Sequence, residues 1–387
     1  MAMNAAIGWF ADIGLSDRPQ VGGKGGSLGE LQRAGIAVPP GFVVKTGAFE
    51  RFIANLEREF PVRSRIEALQ ADALDEVRAC CSEVRARVEA AALPSDLLAD
   101  ISAAHTALGG MGSPETPVVP SRATGASGDS LHYVPVVPSR AAGASGDSLH
   151  CVPVAVRSSA TTEDAVDASF AGLQDTYLWV TSLDQVLDKV RSCWASLYSL
   201  ESVTYRRKKG LPEAGVAMGV VVQKMVNART AGVMFTRSPL TGDRSVITIE
   251  GAWGLGSAVV GGEVTPDRWV VGKITGEISV REISDKHIQH VPADGGGIES
   301  VALTLEQRQT ACLSDAELEA LRQIGRKVER HYGRPQDIEW AVEQGSNEIL
   351  LLQSRPETVW SAKDAAPVAR AAADPLSHVM SIFGGQK

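Results

Sequence analysis

The stretches QDIEWAVE (Gln336–Glu343) and EILLLQSRP (Glu348–Pro356) decide how the rest of this chain is read. Each alternates or saturates with apolar residues as a half-buried or buried strand does, and the polar run Gln344-Gly345-Ser346-Asn347 joins them, so the pair predicts a β-hairpin. In that hairpin Glu339 and Gln353 stand side by side. A carboxylate beside an amide oxygen is a hard-oxygen donor pair with coordination room left over, the arrangement that suits Mg²⁺ when phosphates complete its shell. Arg355, two residues beyond Gln353, faces the same way and offers a planar fork for a phosphate oxygen.

Two other segments supply complementary chemistry. From Val21 to Glu30 the sequence VGGKGGSLGE reads as a glycine-rich turn entering a short helix that stops at Gly35, bringing backbone N–H groups and Lys24 to a helix start. The spacing is not that of a P-loop, and a plain flexible turn is the competing reading. The segment VAVRSSATTED (Val154–Asp164) reads as a buried strand ending in a polar cluster led by Arg157, and it continues into ASFAGLQDTY (Ala168–Tyr177). An arginine there faces an anion or, on the blander reading, makes a surface ion pair.

GGKGGSLGEL, AVRSSATTED with ASFAGLQDTY, VVVQKMV (Val220–Val226) with AGVMFTRSP (Ala231–Pro239), and QDIEW with LLLQSRPETVW follow one another from about Gly22 to Trp360. In that order they resemble the ATP-binding domain of the phosphoenolpyruvate synthase, pyruvate phosphate dikinase and rifampin phosphotransferase family. The resemblance implies an α+β, ATP-grasp fold in which two α/β lobes clamp a nucleotide. It implies that Lys24 and Arg157 hold phosphates, that Gly172 and Thr176 lie on a phosphate-covering loop, and that Gln223 with the backbone of Lys224 meets adenine. Glu339 and Gln353 would bind Mg²⁺ and Arg355 would contact phosphate, with Lys24, Arg157 and Arg355 assisting transfer. Ser257, in EGAWGLGSAVV (Glu250–Val260), stands where these enzymes usually carry glutamate, which affects either a nucleotide contact or a loop contact.

Along the chain, residues 1–216 are expected to form the first lobe, residues 217–360 the second with the hairpin, and residues 361–387 a linker or docking tail. Helical patterning dominates from Thr46 to about Leu108, with a restart at Pro94-Ser95. Residues 118–135 are then repeated almost letter for letter as 136–153, and this Pro-, Gly- and Ser-rich unit reads as a mobile insert at about 115–150. Ser182 with Gln185 predicts a capped long helix running to Gly210, whose Arg206, Arg207, Lys208 and Lys209 suit a solvated C-terminal turn. Ser314 with Glu317 caps a later helix ending at Gly333.

A net charge of −8 argues against a nucleic-acid binder, which would show a basic face. The five cysteines lack metal spacing and suit free thiols in a reducing compartment, no apolar run reaches membrane-spanning length, and the N-terminus lacks an export pattern, so a cytoplasmic enzyme is expected. None of the seven histidines stands in a Gly-Gly-x-x-Ser-His-Ala context; Ser377-His378 is a dipeptide echo. Within the resembled family this makes the chain look like the ATP-binding subunit of a split dikinase of the phenylphosphate synthase type. It would pass the β-phosphoryl group of ATP to a histidine on a partner protein, which binds the small acceptor, a phenol or cresol among the candidates. A nucleotide-binding regulatory or assembly subunit is the alternative, and a direct kinase a third.

Overall fold

The computed structural model describes residues 6–111, 152–161 and 175–360; the repeat up to residue 151, Gly172 and the tail after 360 lie outside them. Five strands, β1 (Ile7–Trp9), β2 (Gly41–Val44), β3 (Val154–Ala160), β4 (Thr176–Val180) and β5 (Met218–Lys224), form an antiparallel sheet in the order β1-β2-β5-β3-β4. β6 (Ala228–Phe235), β7 (Val246–Trp253), β8 (Asp267–Gly272) and β9 (Ile278–Glu282) extend a second sheet, and β10 (Ile288–Pro292) with β11 (Ile298–Ala302) makes a separate two-stranded ribbon. β12 (Gln336–Glu343) and β13 (Ile349–Pro356) complete the second sheet in the order β13-β12-β6-β7-β8-β9.

Strand alternation sorts the first sheet into two faces. Phe42, Val44, Val154, Val156, Val220 and Val222 pack with helices Thr46–Leu56, Leu74–Ala90, Ser95–Gly109 and Leu183–Ser196 into one core. Val43 and Val221 point the other way, onto Val21, Leu28 and Leu31 of the glycine-rich helix, and that second core continues into Met234, Ile249, Ile338, Trp340 and Leu351 of the second sheet. The glycine-rich helix is therefore the shared wedge between the two sheets, and Ser27 Oγ fixes it to the carbonyl of Ser354 on β13 at 2.5 Å.

Several local expectations change. β5 hydrogen-bonds between β2 and β3 in the first sheet, so the chain crosses to the second sheet after Lys224 rather than at 216–217. β3 runs on through Arg157 to Ala160, because Ser158 and Ser159 find partners in the Asp175 and Val21 carbonyls and need no loop. The helix expected to run from Ser182 to Gly210 is two, Leu183–Ser196 and Leu200–Lys208, each with a serine cap, Ser182 and Ser199. Arg206 is not solvated: it is 1% exposed and holds Glu213 at 2.9 and 3.1 Å, with further bonds to the Leu197 carbonyl and Ser202. The capping box at Ser314 and Glu317 is present, and its helix, Asp315–Tyr332, ends on a left-handed Gly333. No helix among the described residues is long and apolar enough to cross a membrane.

Candidate nucleotide site

The sheets face each other across a cleft of about 920 Å³, in the range of small-molecule sites. Lys24, Arg157, Thr176, Gln223, Lys224, Glu339, Gln353 and Arg355, each singled out from sequence, all line it. Gly172 lies outside the described residues.

Helix and strand geometry explain how they meet. The helix Arg18–Arg33 is broken at one residue, Gly22, whose φ of 73° and ψ of 178° belong to glycine alone. The expected glycine-rich turn is therefore a one-residue break, and Gly23 to Gly29 are helical. They are small because neighbours come close: a Cβ on Gly29 would lie 2.4 Å from the Ile13 carbonyl oxygen. Lys24 stands in the first turn after the break and lines the cleft. Arg157 and Ser159 share the face of β3 that meets this helix; Ser159 Oγ donates to the Val21 carbonyl at 2.8 Å and accepts from the Gly25 N–H at 3.1 Å.

On the opposite wall, Glu339 pairs directly with Gln353 across the hairpin, and a β-bulge follows between Glu339 and Trp340. Ile338, Trp340 and Val342 enter the core, whereas Glu339 and Ala341 face the cleft. Arg157 Nη2 meets both oxygens of the pair, donating to Gln353 Oε1 at 2.5 Å and lying 3.4 Å from Glu339 Oε2. Two hard donors that converge on one cationic nitrogen also fit one small divalent cation. Among the described residues no group of three or more His, Cys, Asp and Glu could hold a metal, so such a cation would complete its shell with phosphate and water.

Gln223 is buried, donating to the Pro39 carbonyl at 3.3 Å and accepting from Arg157 at 3.5 Å. The Lys224 N–H donates to the Pro40 carbonyl at 2.9 Å. Beyond these two the cleft turns apolar, with Val226, Ala228, Ala231, Leu255 and Ala341 in one small core against which Met225, Trp179, Ile298 and Leu352 pack. The lining thus combines an apolar wall with charged side chains, among them Lys24, Arg157, Lys189, Lys224, Glu339 and Arg355.

The structure adds residues that sequence reasoning passed over. Asp337, on the same face of β12 as Glu339, stands opposite Arg355, with Oδ2 3.4 Å from Nε. Burial pushes its carboxyl above the usual range, and Arg355 opposes that shift. The two-residue spacing from Glu339 was the available signal. Trp179 lines the cleft in a left-handed conformation, φ 56°, and its carbonyl accepts from the Gly297 N–H at 2.9 Å at the tip of the β10–β11 ribbon. Ser257 both lines the cleft and meets strand β10: its Oγ is 2.8 Å from His290 Nδ1, and His290 Nε2 is 3.3 Å from Glu263. No local sequence signal joins Trp179 to Gly297 or Ser257 to His290.

Two apposed α/β halves with a cleft between them define an ATP-grasp type of fold. The model of the pyruvate phosphate dikinase AMP/ATP-binding domain matches residues 18–130 and 139–374, and the chain belongs to that family. It is 37% identical over 352 residues to a probable phosphoenolpyruvate synthase of Methanothermobacter thermautotrophicus, covering 91% of this chain and 46% of the relative. Against the phosphoenolpyruvate synthase of Pyrococcus furiosus it is 37% identical over 360 residues, 91% of this chain and 44% of the relative. A probable phosphoenolpyruvate synthase of Archaeoglobus fulgidus is 39% identical over 350 residues, 90% and 41%. The chain spans less than half the length of these relatives.

Proposed function

We propose that this chain binds Mg²⁺-ATP in the cleft and serves as the nucleotide-binding part of a dikinase-type phosphotransferase. The observation that carries the reading is that Glu339 and Gln353 pair across the hairpin, in contact with Arg157, on a cleft that Lys24, Arg355 and an apolar wall also line. Adenine enters the pocket walled by Met225, Val226, Leu255 and Ile298, which leaves the phosphates against Lys24, Arg157 and Arg355. Glu339 and Gln353 would hold Mg²⁺, which when bound neutralises phosphate charge. Catalysis here is positioning and charge stabilisation, so this chain contributes no nucleophile.

A histidine outside this chain receives the group. Its ring nitrogen attacks the β-phosphorus and the bond from that phosphorus to the α–β bridging oxygen breaks, so AMP leaves. The terminal phosphate is released with an oxygen from water, leaving phosphohistidine for transfer to a small acceptor, a phenol or cresol in the split-system reading. The histidine-bearing partner is a separate protein in that reading, and the four free thiols among the described cysteines suit a cytoplasmic setting. A second reading, a nucleotide-binding regulatory subunit without turnover, is favoured by Ser257, whose hydroxyl is engaged with His290.

Product analysis separates the readings. With a histidine-bearing partner present, AMP and phosphate support the dikinase, ADP a direct kinase, and no product the regulatory subunit. Glu339→Ala should lose the Mg²⁺ dependence of AMP release more severely than Gln353→Ala, because it removes the charged donor. Unchanged rate and Mg²⁺ dependence in a folded Glu339→Ala protein would place the metal elsewhere.

A further inference from the structure

Arg157 belongs to the first sheet, yet three of its four polar contacts lie on the second. Nη1 donates to the Leu352 carbonyl at 2.8 Å and, within its own sheet, to Gln223 at 3.5 Å; Nη2 donates to Gln353 at 2.5 Å and sits 3.4 Å from Glu339. The residue is 7% exposed. Its guanidinium is thus a buried bridge between the sheets, seated on the two oxygens that form the cation donor pair. We propose that Arg157 is an exchangeable latch, which blocks divalent cation entry at Glu339 and Gln353 until nucleotide phosphate draws the guanidinium away. The proposal rests on the nucleotide reading of the cleft and specifies how that site is regulated.

The argument is one of competition. A dication on Gln353 Oε1 and Glu339 would press against a guanidinium nitrogen already bonded to the same Gln353 oxygen, so the two positive groups cannot both hold the pair. A phosphate offers the guanidinium a bidentate anionic partner, which is a stronger hydrogen-bonding acceptor than a neutral amide. Leaving for that phosphate, Arg157 exposes the donors at the moment when the phosphate oxygens needed to complete the cation's shell arrive. Nucleotide and cation then bind cooperatively, and by linkage each raises the other's affinity by the same factor. In the nucleotide-free protein Arg157 supplies Glu339 with a counter-charge at 3.4 Å.

Mn²⁺ binding to the nucleotide-free chain, read from the electron paramagnetic resonance signal of the free ion, tests this without any turnover. Removing the latch should tighten Mn²⁺ binding by roughly tenfold, because it removes both a like charge beside the cation and a competitor for the Gln353 oxygen. Both Arg157→Ala and Arg157→Gln should show the gain, the second keeping a polar side chain that is shorter and uncharged. Adding Glu339→Ala to either should abolish it. Mn²⁺ affinity unchanged in whichever of these variants folds, or a gain that survives Glu339→Ala, overturns the latch. Wild-type protein that binds Mg²⁺-ATP while the variants show no gain defeats the latch alone; wild-type protein that binds no ATP defeats the reading beneath it.

Discussion

Replacing Gly22 by alanine tests whether the start of the glycine-rich helix is what places Lys24 against Arg157. A Cβ at Gly22 would lie 2.0 Å from the Ser159 carbonyl oxygen and 2.3 Å from its Oγ, whereas ordinary contact begins at 3.4 Å. The helix start and β3 would have to part by roughly 1.4 Å, the difference between those distances. The backbone conformation costs a non-glycine residue about 1–3 kcal/mol. Parting the elements also breaks the hydrogen bonds that Ser159 makes with Val21 and Gly25, about 1 kcal/mol each. The sum, about 3–5 kcal/mol, is a large share of the roughly 5–15 kcal/mol that holds a typical domain folded. Gly47→Ala provides the control, since it lies in helix Thr46–Leu56 with nothing within 4 Å of an added Cβ and should gain about 0.5–1 kcal/mol. Urea unfolding followed by circular dichroism would measure both, and calorimetric ATP titration would measure binding in the folded fraction. Wild-type urea midpoint and ATP affinity in Gly22→Ala would refute the geometry assigned to Lys24.

Arg206→Ala should destabilise by about 3–5 kcal/mol, since it leaves Glu213 buried and uncompensated, while Arg206→Met with Glu213→Leu should recover most of that loss; chemical denaturation checks both. His105 is 6% exposed with Nε2 unpartnered, and burial lowers its pKa, so the folded protein prefers the neutral ring. The stability that neutral His105 allows is intact above about pH 6.5 and is lost as pH falls through that value toward the lower folded one. His105→Leu should therefore raise the melting temperature more at pH 5 than at pH 8, and an equal rise at both would contradict the assignment. Replacing residues 115–150 with a short Gly-Ser connector should leave ATP affinity within about twofold, because loop length costs little and the flanks already meet, with Gly109 beside Val152. Loss of ATP binding in a folded deletion protein would make that segment part of the site.

What could be read from sequence follows from the range of the interactions involved. The β12–β13 hairpin was legible because alternation and a polar turn lie within about twenty residues, but regular pairing from the turn would set Glu339 against Leu352, and the bulge after Glu339, which has no sequence signal, brings it opposite Gln353. The Ser314 cap was legible for the same reason, its partner Glu317 being three residues away. Arg206 was misread because charge at a helix end is ambiguous until the tertiary partner Glu213 is seen. β5 was recognisable as a strand, but its near-continuous apolar run suits a central position in either sheet; only pairing with Val43 and Arg157, distant in sequence, assigns it to the first. The glycine run shows the limit most directly. Glycine permits a positive φ and also permits close approach, and sequence does not distinguish the two. Here Gly22 serves the first purpose and Gly29 the second, one turn-like residue followed by a helix held tight against its neighbours. A chain with alanine at Gly29 would test that second purpose separately: the 2.4 Å approach to Ile13 predicts a loss of stability at a position where helix propensity alone predicts a gain.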